Sequence, residues 1–437
     1  MRTFAEHQRA VHALLDPLVG RLGAGDSERV ELASGGADGR VLADGLHAPV
    51  QLPGFDNSQM DGYAVRSAEL ATARPGSPVR LAVGRTSAAG DPPFELDPGT
   101  ASPVMTGAGI PVGADAVVPI EVADPPAFLG LGAGRHDSPA GSTVSFTSPV
   151  EPGTFIRRAG SDVAAGELLL AAGTRLGPAQ LGALAAAGVT EVLVRRPLRV
   201  LLLSTGHELR PLGQPLRPGQ LHDANTAMIG AALRACGVEV VEALAPDDAA
   251  SVHAALAASV HPRATEQSAA RPVDLVVTTG GVSAGAFEVV RDALAPLGVE
   301  FVKVAIQPGG PQGLGTAAVE PGDGSAPVEV PVVSFPGNPV SALVSFELFL
   351  RPVLRRLAGL APDRSRATLR LAHSVTSPID RHQVRRGVLD GNGDVEVGAP
   401  SSHLLHAYAN ATVLVHLPVG VDGLPAGAHV DVWRIDD

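Results

Sequence analysis

Thr278, Thr279, Gly280, Gly281, Val282, Ser283, Ala284 and Gly285 make up the stretch best suited to hold an anion. It follows a short apolar run at 274–277 and precedes a helical pattern at 287–297. Glycine lets a backbone approach an anion closely, and the first free N–H groups of a helix point at it. A tight strand-to-helix turn needs the same residues, so on this stretch alone the phosphate cradle and the plain turn stand level.

A second set of residues bears charge. Asp61, Asp162, Glu208, Asp247 and Glu288 are candidate carboxylates, and Lys303 is the cation nearest to them in the pattern. Magnesium prefers carboxylate oxygens and retains waters, and a lysine neutralises phosphate, so the set suits metal-assisted handling of a phosphate ester. Each member also has a structural use. Asp247 or Asp248 can cap the next helix, Glu288 can answer the dipole of a first turn, and Lys303 can be an exposed strand residue. No Walker A motif, paired-glycine dinucleotide fingerprint or His-Glu-x-x-His sequence is present, which disfavours ATPase, dehydrogenase and zinc-protease chemistry.

Alternating segments must position these groups. Strands are predicted at 199–203, 238–244, 274–278, 300–304 and 330–334, with helices at 224–235, 248–260, 287–297 and 339–357. Such alternation predicts a parallel sheet flanked by helices, with ligands at the carboxyl ends of its strands. Polar, glycine-bearing loops follow the strands: Ser204-Thr205-Gly206-His207-Glu208, Pro246-Asp247-Asp248, the 280–285 loop, 305–311, and Phe335-Pro336-Gly337-Asn338-Pro339. Five such loops on one rim predict a binding site.

The flanking regions are β-like. An amphipathic helix is predicted at 3–22, with Phe4, Val11, Leu14, Leu15 and Leu18 on one face. Short strands among glycine and proline turns at 67–148 predict a small β domain, with an exposed insertion at 123–142. The tail, 366–437, predicts a small barrel or sandwich, with Asn392-Gly393 as a hairpin turn. The expected fold is therefore α/β plus β.

Across 437 residues, 45% are hydrophobic, 18% charged and only 3% aromatic, and the net charge is −12. That balance argues against nucleic acid and anionic membranes as partners. A lone cysteine, Cys236, excludes an internal disulfide and fits a packing role. No secretory signal and no long apolar span is recognisable, so the expected compartment is the cytoplasm.

Five stretches carry a resemblance: PGFDNSQMDGYAVR at 53–66, IRRAGSD at 156–162, STGHEL at 204–209, GGVSAG at 280–285 and PGNPVSA at 336–342. In this order they resemble the molybdopterin molybdenumtransferases, bacterial proteins related to the E domain of gephyrin, from about residue 40 to the end. The resemblance implies insertion of molybdate into adenylated molybdopterin with release of AMP, to which the acidic set adds dependence on Mg²⁺. It implies four parts: 1–47 with 149–195 (elongated and discontinuous), 48–148 (inserted β), 196–360 (α/β, molybdopterin-binding) and 366–437 (C-terminal β). It also implies a homodimer whose site lies between the α/β domain of one subunit and the N-terminal part of the other. Molybdopterin adenylyltransferase and molybdoenzyme maturation proteins are the further partners it suggests.

On the same basis Asp61, Asp162, Glu208, Asp247, Glu288 and Lys303 are the expected catalytic residues, with Asp61, Asp162, Asp247 and Glu288 as metal ligands. Ser204, Thr205, Gly206, Gly280, Gly281, Ser283, Gly285, Pro336, Gly337, Asn338 and Pro339 are the expected binding residues. This chain departs from the family pattern at four positions. Glu288 and His207 replace aspartates, and Gln307 and Gly310 replace lysines, with Arg157, Arg158, Arg381 or Arg386 as candidates to compensate. The alternatives are a diverged paralogue that binds molybdopterin without inserting metal, a gephyrin-like scaffold, and a hydrolase of other nucleotide pyrophosphates.

Overall fold

The computed structural model describes residues 1–24, 26–129, 139–262, 271–283, 288–321 and 326–436. Most of the candidate loops hang from one six-stranded sheet. Its strands are β1 (Arg199–Thr205), β2 (Glu239–Ala245), β3 (Leu275–Thr279), β4 (Val299–Lys303), β5 (Pro311–Val319) and β6 (Val328–Phe335), in the spatial order β2-β1-β3-β6-β5-β4. Apart from Arg199, β1 is buried along its whole length, and so is all of β3. Their unbroken Val, Leu and Thr runs suit strands covered on both faces.

Helices supply that cover. The first, α1 (Phe4–Ala24), lies on one face with α2 (Ala224–Arg234), α5 (Pro339–Ser345) and α6 (Arg351–Leu357). On the other face lie α3 (Ala249–Val260) and α4 (Val289–Leu294). The expected three-layer α/β fold is present. One expectation needs correction: β1, β2, β3 and β6 pair in parallel, but β5 runs antiparallel to both β6 and β4. Glycines hid β5 in the sequence. They are needed there, because a Cβ on Gly315 would stand 2.7 Å from the Gly298 carbonyl oxygen.

The long helix expected at 339–357 is one helical run with a π-turn, Phe346–Leu350, between α5 and α6. Pro352 has no N–H to offer the carbonyl four residues back and crowds it. That carbonyl, on Leu348, accepts a 3.3 Å hydrogen bond from Gln8 Nε2 of α1. Val11, Leu15 and Leu18 of α1 share a core with Val333 and Phe349. By packing, the N-terminal helix shares the core of the α/β body, whereas the family resemblance places it in the elongated domain.

The remaining chain forms β pieces. Residues on either side of the inserted sheet pair with each other: Ser27–Glu31 with Glu191–Arg195, Leu46–His47 with Leu168–Leu170, and Asn57–Ser58 with Ile156–Arg157. The inserted sheet has six strands around Tyr63, Leu81, Val144 and Phe146. Within its expected exposed segment, 130–138 lie outside the described residues. The C-terminal sheet takes in Ile306–Gln307 beside His382–Leu389, which anchors the 305–311 loop to the last domain. Gly393 adopts φ +81° in the expected hairpin turn.

Glu347, in the π-turn, is buried and clamped by a bidentate pair from Arg364 at 3.0 and 3.1 Å, with Arg351 Nε at 3.5 Å. Removing one partner of a buried pair leaves its guanidiniums uncompensated, at a cost of roughly 3 kcal/mol. Glu347→Ala is expected to lower Tm by several degrees. An unchanged Tm in differential scanning calorimetry would show that the clamp is not structural.

Candidate active site

β1 connects leftward to β2, and the chain then crosses to β3 on the other side, so strand order reverses between β1 and β3. In open α/β sheets the ligand crevice lies outside the carboxyl ends of the strands at such a point. A cavity of about 570 Å³ opens there. Thr205, Gly206 and Glu208 line it after β1, Asp247 after β2, Gly280, Gly281, Ser283 and Glu288 after β3, and Pro336, Gly337, Asn338 and Pro339 after β6.

A chain of side-chain bonds fixes these loops. Ser204 is fully buried, and its Oγ lies 2.9 Å from both Thr279 Oγ1 and Thr226 Oγ1. Thr226 in turn donates its hydroxyl to Asp223 at 2.5 Å, while Asp223 caps α2 through the Thr226 N–H. Asn225 Nδ2 donates to the Gly337 carbonyl at 2.8 Å and so ties the proline loop to α2. Its Oδ1 is buried without a protein partner, as is Thr205 Oγ1, so two polar atoms of cavity-lining residues remain unmatched. The sequence reading missed Asp223 and Asn225. An N-cap aspartate just ahead of the helical pattern at 224 was the available signal.

The glycine loop is a narrower cradle than expected. Gly280 N–H is committed to the Phe335 carbonyl at 3.0 Å. Ser283 donates its N–H and hydroxyl to Glu288 at 2.9 and 2.5 Å. Among the described residues, the N–H groups of Gly281 and Val282 have no acceptor. The helix beyond, α4, begins at Val289 and has six residues, too short to contribute much of a dipole. Gly285 lies outside the described residues.

Glu208, Asp223, Asp247 and Glu288 all line the cavity, and among the described residues no lysine or arginine does. His207 stands beside Asp247, donating its backbone N–H to Oδ2 at 2.8 Å with Nδ1 at 3.1 Å from the same oxygen. Glu208 folds back over the loop, so a Cβ on Gly206 would meet its Oε2 at 2.8 Å.

Three expected residues stand elsewhere within the chain. Lys303 is exposed at the end of β4, separated from β6 by the unforeseen β5, and does not line the cavity. Asp61 and Asp162 are exposed on the N-terminal part. Asp61 Oδ1 accepts the Thr106 N–H and hydroxyl at 2.7 and 2.8 Å. Among the described residues, no group of three or more His, Cys, Asp or Glu side chains is placed to hold a metal ion.

The four candidate compensating arginines do not line the cavity either. Arg158 pairs with Asp56 at 2.6 Å, where the Ala159 N–H, helped by Arg158, holds the Asp56 carboxyl below its ordinary range. Arg157 reaches Asn57, Arg381 pairs with Asp380, and buried Arg386 serves the Ala399 and Ser401 carbonyls. Gln307 Oε1 accepts from Gln383 at 2.8 Å in the C-terminal sheet. Gly310 has room, since a Cβ there would meet only carbonyl oxygens at 3.5 and 3.7 Å. Cys236 is buried under α2, and burial pushes its thiol up to about 11, in line with a packing role.

No described helix is long and apolar enough to cross a membrane. Three family regions match in order: the MoeA N-terminal region (domain I and II) over 2–188, a probable molybdopterin binding domain over 201–356, and the MoeA C-terminal region (domain IV) over 368–435. The molybdopterin molybdenumtransferase 2 of Mycobacterium tuberculosis is 41% identical over 447 residues, covering 100% of both chains. The molybdopterin molybdenumtransferase of Synechococcus elongatus is 39% identical, covering 93% of this chain and 94% of its own. The crystal structure of a molybdopterin biosynthesis MoeA protein from Pyrococcus horikosii superposes with a TM-score of 0.74 at 30% identity, covering 97% of this chain and 98% of that one. The chain belongs to the molybdopterin molybdenumtransferase family.

Proposed function

We propose that this protein inserts molybdate into adenylated molybdopterin and releases AMP, acting in the cytoplasm as a homodimer with Mg²⁺. The observation that carries the reading is the switch-point cavity, whose glycine, proline and carboxylate loops are those expected of the family. Gly281 and Val282 offer N–H groups to a phosphate, and Asn225 Oδ1 and Thr205 Oγ1 offer unmatched polar atoms. A non-catalytic paralogue and a scaffold are not favoured, since the relatives matched over the whole length are named as transferases.

The donor set fits magnesium. Four carboxylates line a cavity that must take a phosphoanhydride, and carboxylate beside phosphate is a repulsive pairing without a cation between. Magnesium needs only one or two protein carboxylates together with substrate phosphates, so a three-residue cluster is not required. Asp247 and Glu288 are the ligands assigned here, with Glu208 beside them. When bound, Mg²⁺ supplies charge stabilisation to the phosphoanhydride as AMP departs. His207 holds the Asp247 carboxylate by two contacts, and Ser283 holds Glu288, so each arrives oriented.

Asp61 and Asp162 enter as the contribution of a second subunit. They are exposed on the part of the chain that also presents Phe55, 57% exposed, and Phe155, 38% exposed. Large apolar side chains bared beside charged loops mark a surface that a partner covers. Arg157 on this part is exposed and lies five residues before Asp162, and from a second copy it would answer the acidic cavity.

Purified protein mixed with adenylated molybdopterin, molybdate and Mg²⁺ is expected to yield AMP and active cofactor, with both lost on chelation. Absence of both products in the complete mixture overturns the reading, while products that persist under chelation overturn only the magnesium assignment. Gly310→Lys restores one cation on the 305–311 loop at a position with room for it. One charge-assisted bond predicts about tenfold tighter binding of adenylated molybdopterin. Affinity equal to the parent protein would show that this position does not face the ligand.

A further inference from the structure

A second cleft lies at the opposite end of the sheet, against Leu198 and Val238, which immediately precede β1 and β2. Its volume is about 240 Å³, room for several waters at ~30 Å³ each. Arg40, Arg175, Arg195, Arg196 and Arg234 line it, with Asp38 as the acid among its lining residues. In a chain of net charge −12, this is a local excess of positive charge.

Not all of that charge is neutralised. Arg40 pairs with Glu28 at 2.5 Å, Arg196 with Asp26 at 3.4 Å, and Arg234 with Glu242. Among the described residues, no carboxylate pairs with Arg175 or Arg195. Arg195 Nε is buried without a hydrogen-bond partner, whereas Arg196 Nε is the atom that faces Asp26. A plainer use for the cluster would be to satisfy the C-terminal carbonyls of α2 and α6, which end beside the cleft. The bonds run otherwise: Arg40 donates to the Arg195 carbonyl at 2.8 Å and Arg234 to Glu242, and none of the five donates to those helix ends.

A chain crossing between the elongated domain and the α/β body, 195–198, lines the cleft, and Arg196 in it pairs with Asp26 just ahead of the strand Ser27–Glu31. We propose that this cleft binds a small phosphate-type oxyanion, whose oxygens accept the unmatched guanidinium N–H groups and tie the two domains together at their hinge. Planar guanidinium forks suit tetrahedral oxyanions, and an anion here relieves the mutual repulsion of the arginines. The site is independent of the reaction at the far rim.

The test uses the full chain and sodium pyrophosphate at constant ionic strength set with sodium chloride. Calorimetry is combined with hydrogen exchange over 193–198. The wild-type chain is expected to bind with slowed exchange in that segment. Arg175→Gln with Arg195→Gln is expected to weaken this event about tenfold or more, and Arg175→Lys with Arg195→Lys to keep part of it. If the double glutamine variant does not fold, Arg175→Gln alone is read, since that side chain is exposed and has no ion pair. Unaltered exchange over 193–198 on adding pyrophosphate, or equal affinity in the glutamine variant, overturns the proposal.

Discussion

Two backbones meet where β3 and β6 end, and the geometry of the rim depends on that contact. A Cβ on Gly337 would stand 3.3 Å from Gly280 Cα, and one on Gly280 would stand 3.1 Å from the Thr205 carbonyl oxygen. Gly280 also holds φ +96°, a conformation open to glycine and strained for other residues. Three loops, following β1, β3 and β6, therefore converge at close backbone approach. The Gly280 N–H to Phe335 bond and the Asn225 to Gly337 bond keep them there. The cavity is the space left on the solvent side of this junction.

Charge sets the second constraint. The cavity of one chain is lined by carboxylates, while Gln307 is turned to the C-terminal sheet and Gly310 bears no side chain. An anionic substrate can enter only if positive charge arrives from elsewhere. The cations that the proposed function invokes, Mg²⁺ and an arginine from a second copy, meet the same electrostatic need. His207 beside Asp247 adds no negative charge there.

Much of this was legible in the sequence because periodicity and loop chemistry are local. Five of the six strands of the central sheet, its main helices, and the loops bearing Glu208, Asp247, Gly280 and Pro336 lie where the pattern predicts. What escaped depends on tertiary packing. The Gly-rich β5 reads as a loop because its glycines answer close backbones and not turns. Its presence moves Lys303 to a distant edge strand. The phosphate cradle read from 278–285 lost donors, Gly280 to Phe335 across the fold and Ser283 to Glu288 within the loop itself. Asp61 and Asp162 were grouped with the acids of the rim on residue type, and a single chain leaves them on the exposed N-terminal part.

The loop junction can be tested without turnover. Equilibrium titration of AMP into the wild-type protein and Gly280→Ala, with far-UV circular dichroism as the control, reads the junction directly. Forcing a Cβ into this backbone conformation costs about 1–2 kcal/mol, which the loop can relieve only by moving away from Thr205 and Gly337. An affinity loss of about tenfold with unchanged secondary structure is the expected result. AMP binding equal to the wild type in a folded Gly280→Ala protein would contradict the central role given to this contact.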